Sequence, residues 1–154
     1  MNTLIVSAIF LTLSSGARAA VPLLSYDFGN QAHESTLQIL DDGTVVHKER
    51  SLLEIKTLPE SPLSEAELSE LTAQIQAISK PGSPNMKYED LSFGMEFGGL
   101  SVFSNSKMLK VRTIEEPDNT GRVPVFFSSE KAARKKIEAL VNQYVRTQLP
   151  RFDD

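Results

Sequence analysis

His33 and His47 are the only imidazoles in the chain, and cysteine is absent. Two imidazoles cannot build a three-histidine metal centre, and the lack of thiols removes cysteine nucleophiles, cysteine zinc sites and disulfides. Val45, His47 and Glu49 alternate along a stretch of strand character, so they share a face and offer a His/Glu pair for proton transfer or a weak metal contact. The surroundings of His47 depend on the turn before it. A two-residue Asp42-Gly43 turn sets His47 opposite Gln38, whereas a three-residue Asp41-Asp42-Gly43 turn sets it opposite Leu37. By default such a residue is a solvated or hydrogen-bonded strand histidine, because an active site needs several convergent groups.

Ser104-Asn105-Ser106-Lys107 has the Ser-x-x-Lys spacing of some serine acyl-transfer enzymes, in which a lysine one helical turn away deprotonates the serine. Here the stretch reads as a β-turn, without the companion Ser-Asp-Asn and Lys-Thr-Gly motifs. Gly-x-Ser-x-Gly, the P-loop, Gly-x-Gly-x-x-Gly and His-Glu-x-x-His are also missing. Asp41-Asp42 and the group Glu115, Glu116, Asp118, Asn119 present oxygens to a hard cation, but neither follows the alternating ligand order of a calcium loop. No metal and no cofactor is expected.

These residues are positioned by elements that the pattern partly predicts. Residues 20–33 show no clear period and read as an irregular lead-in. Residues 36–40 and 44–49 flank Asp-Gly and form a hairpin, whose second strand extends toward Ile55 before Pro59 and Pro62 end it. Ser64 and Glu67 make a capping box, Leu63 and Leu68 a hydrophobic staple, and Leu68, Leu71, Ile75 and Ile78 one helical stripe. Lys80-Pro81-Gly82 stops that helix, and residues 81–90 read as a loop.

Leu91, Phe93, Met95 and Phe97 alternate with polar or small residues, and Gly98-Gly99 reads as a two-residue turn that sets Phe97 opposite Leu100. A second turn at Asn105-Ser106 sets Val102 opposite Leu109 and Leu100 opposite Val111, completing a meander over 91–114. A fourth strand follows at 123–127, with Pro124 marking an edge. The last helix is capped by Ser128 or Ser129, carries Ala133, Ile137, Leu140 and Tyr144 on one stripe, and ends by Pro150. The expectation is α+β: an antiparallel sheet, hairpin plus three- to four-stranded meander, packed on one face by two helices in the order ββαβββ(β)α. The acidic start of the first helix (Glu65, Glu67, Glu70) and the basic start of the second complement one another.

Two surfaces could recognise a partner. The long hairpin loop 115–122 supplies Glu115, Glu116, Asp118, Asn119 and Arg122 as candidate binding residues, since recognition concentrates on loops carried by rigid strands. Lys131, Arg134, Lys135 and Lys136 form a basic face able to touch anionic lipid, but without the interleaved aromatics of a nucleic-acid surface a wet helix face is the default.

The first residues set the compartment. The apolar run from Leu4 to Leu13 is shorter than the roughly 20 residues of a membrane span and fits the h-region of an export signal. Ala17-Arg18-Ala19 then supplies small residues for cleavage after residue 19, although the n-region has no Lys or Arg. Cleavage leaves one globular domain, 20–154, and removes Arg18 but no acid, taking the formal charge from −4 to −5. Nucleic acid is not an expected partner of so acidic a chain. The reading is an exported, periplasmic or extracellular, non-enzymatic binding module that partners another exported protein, as an inhibitor or envelope accessory. The rival is a small hydrolase built on His47 and nearby carboxylates. It requires a Ser, Asp or Glu within hydrogen-bond reach of His47 and an adjoining concave pocket.

Overall fold

The computed structural model describes residues 18–29, 32–79, 85–90 and 97–145. It is an α+β fold built on one antiparallel sheet of eight strands. The strands are β1 (Pro22–Gly29), β2 (His33–Leu40), β3 (Val45–Ser51), β4 (Ile55–Leu58), β5 (Asn85–Asp90), β6 (Phe97–Ser104), β7 (Lys107–Ile114) and β8 (Arg122–Phe127). Helix α1 (Glu65–Ile78) follows β4, and helix α2 (Lys131–Val141) follows β8. Across the sheet the order is β4-β3-β2-β1-β6-β7-β8-β5. The chain therefore lays down the meander β1–β4, then α1, then β5, which ends up at the far edge beside β8, and then the meander β6–β8 followed by α2; the two groups join where β1 pairs with β6.

Burial alternates along the strands. Leu24, Tyr26 and Phe28 of β1, Leu37 and Ile39 of β2, Leu100 and Val102 of β6, and Val123 and Val125 of β8 are all buried. They meet Leu71, Ile75 and Ile78 of α1 and Ala133, Ile137 and Val141 of α2 in one core. Each such side chain contributes about 1.5–3 kcal/mol when fully buried, so this shared face holds the helices on the sheet.

Several local signals act as their chemistry demands. Asp41-Asp42-Gly43 is a three-residue turn: Leu40 N–H donates to Thr44 C=O, Gly43 has φ +85°, and His47 falls opposite Leu37. At the start of α1 the capping box forms, with Glu67 N–H donating to Ser64 Oγ and Ser64 N–H to the Glu67 carboxylate. Asn105 and Ser106 both take positive φ, 49° and 63°, the condition for a hairpin turn that matches strand twist. Val102 accordingly faces Leu109.

Other expectations are corrected. Residues 22–29 are not a lead-in but a central strand, and Leu24-Ser25-Tyr26-Asp27-Phe28 carries a strand's period of two. The second strand of the first hairpin stops at Ser51, where the chain turns back to form β4. Residues 85–90, read as loop, are the edge strand β5 beside β8. The proposed strand at 91–97 lies outside the described residues up to 96.

Gly98-Gly99 is not a turn but part of β6. A Cβ on Gly98 would sit 2.1 Å from the carbonyl oxygen of Asp27 in β1, so the glycine serves strand approach rather than chain reversal. Leu100 faces Arg112 instead of Val111, because a bulge leaves Val111 unpaired and buries both residues. Pro124 lies in an interior strand, between β7 and β5. Its carbonyl accepts from Glu115 on the β7 side, so its missing N–H points to where that ladder has already ended. Helix α2 begins after Glu130, whose N–H donates to Ser128 Oγ. It ends at Val141, and residues 146–154, including Pro150, lie outside the described residues.

Candidate functional site

The three-residue turn decides the fate of His47. Opposite Leu37, its side chain points into the core face, and the residue is 1% exposed. Two groups meet its ring. Glu60 Oε1 lies 2.8 Å from Nδ1, and Ser35 Oγ lies 3.2 Å from Nε2. Ser35 comes from β2, diagonal to His47 across the pair, where it faces Glu49. Glu60 comes from the linker between β4 and α1, where Pro59 and Pro62 restrict the backbone on either side.

The ring's protonation pattern follows from its partners. A carboxylate only accepts, so in the neutral imidazole Nδ1 carries the hydrogen donated to Glu60. Nε2 is then the acceptor facing the Ser35 hydroxyl. A serine, a histidine and a carboxylate thus stand in one hydrogen-bonded line. Glu49, the carboxylate that shares the strand with His47, is not the one that contacts it.

The line ends at a pocket. A concavity of about 340 Å³ is walled by Phe28, His33, Ser35, Glu49, Arg50 and Lys56 among others. Ser35 supplies the polar floor next to Phe28, its neighbour on β1. The charged wall is ordered: Arg50 bridges Glu34 at 2.6 Å, and Lys56 bridges Glu54 at 3.1 Å.

At the pocket rim the chain makes its most unusual exposure. Ser51 and Glu54 exchange backbone hydrogen bonds around Leu52-Leu53, and these turn residues are 77% and 97% exposed. Ile55, the first residue of β4, is 67% exposed. Tight turns favour Gly, Asn, Asp, Pro and Ser for conformational reasons, and leucine offers none of them.

Of the five residues expected to bind a partner, Glu115, Glu116, Asp118 and Asn119 lie on the connection between β7 and β8, and Arg122 is the first residue of β8. Asp118 Oδ1 accepts from the backbone and hydroxyl of Thr120 and from Arg122 N–H, which holds its carboxyl below the usual range. Glu115 pairs with Lys110, and the Arg122 guanidinium lies 5.5 Å from the Tyr88 ring centre and donates to the Tyr88 carbonyl. Of the five, Glu116 and Asn119 project to solvent. The loop is knit to itself and to neighbouring strands.

The basic face of α2 is divided. Arg134 is buried, stacked 5.0 Å from the Phe127 ring centre and bonded to the Ser128 carbonyl, while Lys136 reaches Glu70 of α1 at 2.7 Å. Lys131 and Lys135 stay exposed. The Ser104-x-x-Lys107 spacing spans the β6–β7 turn, not a helix. Among the described residues no three His, Cys, Asp or Glu side chains gather as a metal site, and no helix is long and apolar enough to cross a membrane.

Sequence reasoning found His47 but neither of its partners. Ser35 was legible once the longer turn was chosen, since that register places it diagonal to His47; Glu60 carried no signal. Comparison with known protein families, with curated proteins and with solved structures finds no significant match to this chain.

Proposed function

We propose that the protein is an exported interaction module whose docking element is the apolar tip of the β3–β4 hairpin. The observation that carries this is the exposure of Leu52, Leu53 and Ile55 together on one turn. Burying a leucine side chain is worth about 1.5–3 kcal/mol, and these two leucines gain none of it in the isolated chain. Residues that break a local rule without stabilising the fold belong to a function outside it. The tip stands on a rigid ladder, with Arg50 facing Ile55 and His47 facing Leu58, so it is presented without a large ordering cost. The occupant that fits is an exported protein with an apolar groove, reached past the charged rim of Glu54, Lys56 and Arg50.

This moves the docking surface away from loop 115–122, whose polar groups are largely engaged internally. The leading apolar run fits export, and the charge of the chain fits a protein partner rather than nucleic acid. A photo-crosslinking residue placed at position 53 and another at position 119, in the intact cell, tests the assignment. The expected result is a defined heterologous adduct from 53 that is lost in Leu52→Ser/Ile55→Ser. Adducts from 119 alone would overturn the tip assignment, and a 53–53 adduct would identify a second copy as the occupant.

A further inference from the structure

We infer that Ser35, His47 and Glu60 form an acyl-transfer site that hydrolyses small esters bound in the pocket above Ser35. This is independent of the hairpin tip and adds a reaction to the module.

Three observations converge. The polarity of the line is that of a nucleophile, a base and an orienting carboxylate: Ser35 Oγ to Nε2 at 3.2 Å, and Nδ1 to Glu60 Oε1 at 2.8 Å. Glu60 fixes the hydrogen on Nδ1 and so leaves the Nε2 lone pair toward the serine. Ser35 lines the pocket and His47 lies behind it at 1% exposure, so the leaving alcohol and the attacking water reach Nε2 past Ser35 Oγ.

The step balances within these groups. As Ser35 Oγ bonds to the ester carbonyl carbon, its proton passes to His47 Nε2. Collapse of the tetrahedral adduct breaks the carbon–oxygen bond to the alcohol, which leaves with that proton. Water then repeats the sequence on the acyl-serine, giving up a proton to Nε2, and releases the carboxylic acid with Ser35 restored. Lys56 and Arg50 line the same wall, each paired with a carboxylate, Glu54 and Glu34.

Substrate class follows from the walls. About 340 Å³ is near the lower end of ligand sites, and Ser35 is 7% exposed, so short acyl groups fit and long branched ones do not. Glu49 sits directly across the strand pair from Ser35, which favours neutral or cationic esters over anionic ones.

The test uses the protein as isolated. A fluorophosphonate should add once per chain, with the adduct at Ser35 by peptide mass, and acetyl and butyryl p-nitrophenyl esters should be hydrolysed with a burst. Ser35→Ala should abolish labelling and lower turnover at least about a hundredfold, the lower range for losing a general-base step. Glu60 is a positioning residue: Glu60→Gln should lower kcat with KM unchanged, and Glu60→Asp should recover part of it. Met108→Ser, at an exposed position of β7 outside the pocket lining, should leave labelling intact. Wild-type protein that takes no fluorophosphonate, or turnover unchanged in folded Ser35→Ala, overturns the proposal.

Discussion

Each half of the sheet buries a polar cluster against the layer above it, and the two clusters are built on opposite principles. In the half made by β1–β4 and α1, Ser35, His47 and Glu60 are matched donor to acceptor around one carboxylate. In the half made by β5–β8 and α2, two buried guanidiniums, Arg112 and Arg134, converge on the carboxylate of Glu138, at 3.2 and 3.9 Å. Arg134 also lies over Phe127 and bonds the Ser128 carbonyl, so this cluster ties α2 to the strand before it. The difference teaches what each is for. The relay holds one carboxylate and opens on a pocket, whereas guanidiniums that share a carboxylate form a clamp that weakens when that carboxylate is removed.

The clamp should therefore give the largest effect. Glu138→Ala removes a carboxylate shared by two buried guanidiniums, and breaking buried pairs in this way costs about 3–5 kcal/mol. Urea denaturation measures it, and a loss below about 1 kcal/mol would show that the two clusters do not differ in kind. The seam between the halves comes next. Gly98→Ala drives a methyl into the Asp27 carbonyl of the neighbouring strand, and overpacking of this sort typically costs about 1–3 kcal/mol. A thermal midpoint equal to wild type would mean that β1 and β6 can separate without penalty. Ser35→Ala stands beside it: it leaves the buried Nε2 of His47 without its donor, a cost of about 1–3 kcal/mol, while the His47–Glu60 contact remains. Should it destabilise as much as Glu138→Ala, the relay would be a clamp too.

The same halves differ in how far they could be read. The first was legible where local chemistry acts alone: Gly43 in its turn, and Ser64 with Glu67 at the helix start. Strand β1 carries a clean alternation of Leu24, Tyr26 and Phe28, but the breakers Pro22 and Gly29 at its ends mask it in the sequence. In the second half the sequence was misleading. Gly98-Gly99 resembles a turn in isolation, and only the neighbouring carbonyl reveals why side chains are excluded there. Met86 and Tyr88 alternate with Lys87 and Glu89 along residues 85–90, but both are exposed, so the strand follows from its pairing with β8 and not from a buried stripe. Pro124 suggested an edge, but one strand's ladder ends before another's does. For the site, His47 was recognisable as a residue type, whereas Glu60 arrives from a linker whose path depends on β4, α1 and the packed core together.

Acid titration contrasts the seam with the end of α1, through carboxyls shifted in opposite directions. Asp27, on the open face where β1 meets β6, has its carboxyl pushed up by partial burial first and by the nearby Glu34 carboxylate second, against a backbone hydrogen bond from Gly99 that lowers it. Glu67, in the capping box of α1, has its carboxyl lowered by the Ser64 side chain and then the Ser64 backbone. A raised carboxyl means that the folded state binds the proton more tightly than the unfolded one. The stability tied to Asp27 is thus fully present below the ordinary carboxylate range and is lost as pH rises through its folded-state value. For Glu67 the sign reverses: its stability is present above that range and lost as pH falls. Asp27→Asn should therefore be slightly more stable than wild type at neutral pH, and Glu67→Gln slightly less, with both differences closing on acidification. Both groups are exposed, so water keeps the effects the smallest of the series. Denaturation midpoints for both variants from pH 7 to pH 3 provide the check. Two differences of the same sign at neutral pH would mean that the seam carboxylate is stabilised by Gly99 more than it is opposed by burial and Glu34.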